Sequence, residues 1–147
     1  KRASRTADII SEISNQPKPI IIDELIERDF GVMTGVSQNE IETRCAPNII
    51  KTNTITYFLN PEGAETFPDL LERSEKLIKK IEERHPNKKV LFVSHGDIGK
   101  MIYAKFYDLP WKDVLSDFHF GNTEILHLSR SIDPKDARIY VAVQHNH

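Results

Sequence analysis

The run Val90-Leu91-Phe92-Val93, leading directly into Ser94-His95-Gly96, constrains the fold more than any other stretch of this chain. Four consecutive apolar residues predict a short strand covered on both faces, as in a parallel sheet. A helical pattern follows over 97–107, with Ile98, Met101, Ile102 and Phe106 on its inner side. Strand, tight turn and helix form the repeating unit of an α/β layer fold. In such folds ligands bind outside the carboxyl ends of the strands, and His95 stands at that end. Gly96 lets the backbone turn and a ligand come close. The amides opening the next helix, with its dipole, favour an anion there. On these residues alone, His95 reads equally well as strand-end packing or as an imidazole beside a phosphate.

The remaining pattern agrees with interleaved helices and strands. Apolar positions at helical spacing predict a helix over 3–13, stopped by Gln16-Pro17-Lys18-Pro19. Ile20-Ile21-Ile22 is a β-branched run suited to a strand. Residues 23–35 read as irregular but ordered. A short helix is expected over 37–44, with Ser37 as cap and Glu40 at capping-box spacing. Residues 49–61 read as a loop, a lid or pocket wall. A long helix over 67–84 carries an apolar stripe of Leu70, Leu71, Leu77, Ile78 and Ile81. Pro110-Trp111 starts a further short helix, and 123–128 and 138–143 alternate as strands. The expected architecture is three-layer α/β/α with a mainly parallel central sheet.

Composition narrows the function classes. The 147 residues suit one domain. Twenty basic and 22 acidic side chains, net charge −2, give neither a basic surplus for nucleic acid nor a charged tail. The single cysteine, Cys45, forms no internal disulfide and fits a reducing compartment. No signal-like segment and no membrane-length apolar run occurs, so a cytoplasmic location without membrane association is expected. No Walker loop or dinucleotide fingerprint is present. His119, His127 and the terminal His145-Asn146-His147 lack metal-ligand spacing, and neither metal nor cofactor is expected.

Two further segments hold candidate chemistry. Arg2 and Arg5 lie three apart on the first helix, and a guanidinium there can grip a phosphate with two parallel hydrogen bonds. Glu27 lies between Ile26 and Phe30, where partial desolvation favours the proton-carrying form of a carboxyl. Taken singly, each reads more simply as solvated surface charge.

In series, the segments KRASRTA (1–7), LIERDFGVMTG (25–35), PEGAETFPDLLER (61–73), VSHGDIGK (93–100) and FGNTEIL (120–126) resemble the histidine phosphatase superfamily, the phosphoglycerate mutase-like fold. The resemblance implies roles for particular residues. Arg2 matches a phosphate-binding pocket arginine, and His95 matches the second pocket histidine, catalytic and phosphate-binding. Glu27 matches the proton donor. The Gly96 backbone and Asn122 border the pocket. The family's Arg-His-Gly, whose histidine becomes phosphorylated, does not occur here. Residues 1–147 are therefore expected to be a single domain of this family, incomplete at its N-terminus, with the first strand, first helix and nucleophile upstream of Lys1.

The implied activity is metal-independent hydrolysis of a small phosphorylated substrate or a phosphoprotein through phosphohistidine. The short interval from Glu27 to His95 resembles the compact phosphatases more than the mutases. Mutase-type phosphotransfer is the alternative. Without an upstream Arg-His-Gly, a noncatalytic phospho-ligand-binding or interaction protein becomes the reading. A homodimer stays open.

Overall fold

The computed structural model describes residues 1–117 and 119–140. Its frame is a pair of packed helices. Helix α3 (Phe67–Arg84) starts at Thr66, whose hydroxyl accepts from the Asp69 amide while the Asp69 carboxylate accepts from the Thr66 amide. This reciprocal cap, with Pro68 in the first turn, satisfies amides that a helix start otherwise leaves unpaired. The apolar stripe of α3 packs on helix α4 (Gly96–Phe106), so that Phe67, Leu70, Leu77, Ile98 and Met101 are wholly enclosed. Helix α5 (Trp111–Asp117) adds Trp111, stacked on Phe67 with ring centroids 5.4 Å apart.

Helix α1 (Arg2–Ile13) forms where its periodicity predicts and ends as Ser11 Oγ donates to the carbonyls of Gln16 and Pro17. Its Ile9, Ile10 and Ile13 remain exposed among the described residues. Helix α2 (Gln38–Cys45) starts at Ser37 as expected, but the capping box does not close. Glu40 instead accepts a hydrogen bond from Arg44 one turn on, at 2.6 Å. Cys45 is half-buried, with Sγ 3.6 Å from Met33 Sδ.

The segment read as a loop over 49–61 contains a hairpin. Strands β1 (Ile49–Lys51) and β2 (Thr56–Phe58) pair antiparallel, Ile50 opposite Tyr57. Thr52 makes the turn, accepting from the amides of Thr54 and Ile55 and donating to the Ile55 carbonyl. The strands are three residues long, too short for an alternation signal to stand out in the sequence. Strands β3 (Ile125–Leu126) and β4 (Arg138–Tyr140) form a second antiparallel pair with a register irregularity. Residues 141–147, including the rest of the expected last strand and His145-Asn146-His147, lie outside the described residues.

Both ladders among the described residues are antiparallel, so the mainly parallel central sheet is not among them. The two segments expected to supply it, 20–22 and 90–93, run without ladder partners. A parallel ladder needs a second strand alongside, and within the described residues neither has one. Ile22 and Phe92 still pack on the core, whereas Ile21 and Leu91 are 70% and 64% exposed. Among the described residues, no helix is long and apolar enough to cross a membrane.

Leu77 sits at the centre of the α3–α4 contact, fully enclosed. Leu77→Ala should cost about 2–5 kcal/mol, from lost transfer energy and an unfilled cavity. Chemical denaturation monitored by far-UV circular dichroism measures this, and a loss below about 1 kcal/mol would show that the helices do not pack there.

Candidate functional site

The N-terminus of α4 is where the separate motifs meet. His95 is the N-cap residue, in extended conformation with φ −131° and ψ 174°. Its side chain makes no capping bond, and no hydrogen bond to it is present among the described residues. The capping function is taken by Glu27, from the segment 25–35. One Glu27 carboxylate oxygen accepts from the Asp97 amide at 3.4 Å and the other from the Ile98 amide at 3.3 Å. A carboxylate is stabilised there by the amides and by the positive end of the helix dipole. The Arg28 amide adds a third hydrogen bond, 2.9 Å from Glu27 Oε1. The Gly96 amide is left without a partner among the described residues.

Ser94 draws the same two segments together one step earlier. Its Oγ donates to the Leu25 carbonyl at 2.6 Å. The acid segment is held from its other side by α3, where Arg73 donates to the carbonyls of Glu24 and Ile26 at 2.7 and 3.0 Å. Lys80 binds the Glu24 carboxylate at 2.6 Å and holds it below its ordinary pKa. Beyond Glu27 the chain turns at Gly31, with φ +53°. A Cβ there would lie 2.3 Å from the Glu62 carbonyl oxygen, so only glycine fits both the dihedral and the contact.

Beneath Glu27 lies a buried polar cluster. Arg28 is 4% exposed and its Nε donates to Asp97 Oδ2 at 3.0 Å. Its Nη1 donates to the Phe58 carbonyl at 3.1 Å. The guanidinium lies 4.1 Å from the Phe67 ring centre, 4.3 Å from Phe58 and 5.3 Å from Phe30. Burial pulls the Arg28 pKa below its ordinary value and Asp97 opposes that, but an arginine stays charged. Lys100, 1% exposed, places Nζ 3.8 Å from Asp97 Oδ1 and 5.0 Å from the Tyr57 ring centre. Burial lowers the Lys100 pKa, again opposed by Asp97. Burial, followed by the Asp97 charge, raises that of Tyr57, whose hydroxyl has no hydrogen-bond partner among the described residues. A cleft of about 150 Å³ borders this cluster, lined in part by Arg28, Phe30, Met33, Tyr57, Phe58 and Asp97. A second cleft, about 250 Å³, is lined in part by Phe67 and Trp111, and neither cleft is lined by Glu27 or His95.

The structure thus brings Glu27, His95 and Gly96 to one helix end. The late segment comes close as well. Phe120 O lies 3.7 Å from the position of a Cβ on Gly96, and the Phe120 ring fills the space left by Gly99, where a Cβ would lie 2.9 Å away. Asn122 follows in an exposed turn. Arg2 is exposed at the start of α1, and among the described residues no hydrogen bond or ion pair links it to Glu27 or His95. Sequence reasoning missed Arg28, Asp97, Lys100 and Tyr57. Arg28 and Asp97 stood inside the quoted motifs, each beside a candidate, yet a charged residue at an unassigned motif position gives no sign that it is buried. Among the described residues, no group of three or more His, Cys, Asp or Glu could hold a metal ion.

A helix start carrying an uncapped imidazole, an unpaired amide and an amide-held carboxylate is suited to phosphate chemistry. Comparison with known proteins agrees. A Bacillus subtilis (strain 168) protein, uncharacterized phosphatase PhoE, is 35% identical over 96 residues, 65% of this chain and 44% of that protein. A 2,3-bisphosphoglycerate-dependent phosphoglycerate mutase of Rhizobium etli is 29% identical over 121 residues, 76% of this chain and 57% of the mutase. The chain spans about half the length of these two relatives. The solved structure of Bacillus stearothermophilus YhfR superposes with a TM-score of 0.67 at 24% identity, covering 84% of this chain and 60% of that one, which shows the shared α/β fold. The model of the histidine phosphatase superfamily (branch 1) matches residues 1–140, and the chain belongs to that superfamily.

Proposed function

We propose that this chain forms the acid-bearing part of a phosphomonoester hydrolase working through a phosphohistidine intermediate. The observation that carries this reading is the meeting of Glu27 and His95 at the first turn of α4. The nucleophilic histidine is assigned to an Arg-His-Gly segment outside these 147 residues. Its nitrogen attacks phosphorus as the ester P–O bond breaks in line. Negative charge grows on the leaving oxygen and stays high on the equatorial oxygens. His95 and the free Gly96 amide stabilise the equatorial oxygens, with Arg2 as a further cation. Glu27 gives its proton to the departing alkoxide. Water then attacks the phosphohistidine, Glu27 takes a proton from it, and inorganic phosphate leaves. Cationic and amide groups neutralise the phosphate, so no metal is invoked.

Hydrolysis is preferred over phosphotransfer because the interval between Glu27 and His95 is short, as in the family's compact phosphatases. The likeness to the Rhizobium etli mutase keeps phosphotransfer to a second acceptor as the other reading. Transfer of phosphate to a phosphoglycerate in preference to water would select it.

The full-length protein should hydrolyse p-nitrophenyl phosphate at an undiminished rate in excess EDTA. His95→Ala should lose most of that turnover, and near-normal kinetics in this variant would return His95 to a packing role. Glu27→Gln should lower kcat/KM for phenyl phosphate, a poor leaving group, by about 10²–10⁴. The loss for p-nitrophenyl phosphate should be much smaller, since nitrophenolate departs without a proton. Equal losses on the two esters would remove Glu27 as the acid.

A further inference from the structure

We propose that Arg28 and Asp97 are positioning residues that fix the orientation of the Glu27 carboxyl, an inference that rests on reading Glu27 as the proton donor. The geometry is a closed loop of contacts. Asp97 donates its backbone amide to Glu27 Oε2, while its side chain accepts from Arg28, the residue next to Glu27. Arg28 in turn donates its own amide to Glu27 Oε1. The acid is therefore gripped by two backbone amides whose own side chains are bolted to each other.

The bolt has little freedom. Arg28 is enclosed by three aromatic rings and bonded to the Phe58 carbonyl. The second oxygen of Asp97 faces buried Lys100. A shift of either charge would leave a buried ion unpaired, which costs far more than moving an exposed one. Holding the acid in a single pose prepares its proton for the leaving oxygen, and a misplacement of about 1 Å can cost on the order of 10²-fold in rate.

A residue that works through Glu27 has a distinctive signature. Arg28→Met and Asp97→Asn should each lower kcat/KM for phenyl phosphate about tenfold or more, a fraction of the loss expected from removing the acid. The loss for p-nitrophenyl phosphate should stay within about threefold. Neither variant should slow the enzyme further when Glu27 is already Gln. Arg28→Lys keeps the charge but not the fixed geometry of the guanidinium, and provides a folded substitute should Arg28→Met not fold. It should show the same leaving-group dependence. Active variants that lose both esters equally, or that remain additive with Glu27→Gln, would overturn the inference alone. A wild-type protein inert toward both esters would overturn the phosphatase reading, and this inference with it.

Discussion

The ion pair between Arg28 and Asp97 joins two parts of the chain 69 residues apart, the segment that carries Glu27 and the start of α4. Burying two charges costs several kcal/mol for each, on the order of what their mutual attraction returns. Here the cost is offset by carbonyl acceptors, by the second cation Lys100 and by aromatic faces. Each such cation–π contact contributes about 0.5–2 kcal/mol. The pair thus adds little net stability compared with an apolar substitute, yet it specifies one arrangement. It fixes the acid segment against the start of α4 at one register, and Ser94, bonded to the Leu25 carbonyl, repeats that register. The α3–α4 core supplies the rigid base on which this rests.

In the proposed reaction the same helix end serves two anions. Glu27 occupies the amides of Asp97 and Ile98, leaving the Gly96 amide and the His95 imidazole without hydrogen-bond partners among the described residues. A substrate phosphate bound there would place a second negative charge near Glu27. Opposed to it are the helix dipole and the buried cations Arg28 and Lys100.

Much of this was legible in the sequence, for identifiable reasons. Helices α1, α3 and α4 announce themselves through period and through Pro68 and Gly96. Glu27 and His95 were singled out by motif and by position at a strand end, and they do converge. The hairpin over 49–58 was not legible, because three-residue strands leave almost no alternation to read. The strands over 20–22 and 90–93 were expected from a β-branched run and a continuous apolar run, but pairing is a property of the neighbour and not of the segment. Arg28, Asp97 and Lys100 were hidden for another reason: charged residues are rarely buried, so nothing local marks the exception. Only the three-dimensional contact shows that they meet.

Whether Arg28 and Asp97 act as one buried unit is read from a double-mutant cycle on stability. Arg28→Met and Asp97→Asn, alone and combined in the full-length protein, would be unfolded in urea. Each single change should cost about 3–5 kcal/mol by stranding a buried charge. The combined change should cost less than the two added together by more than about 1 kcal/mol. Losses that simply add would contradict the claim, because the two side chains would then contribute independently.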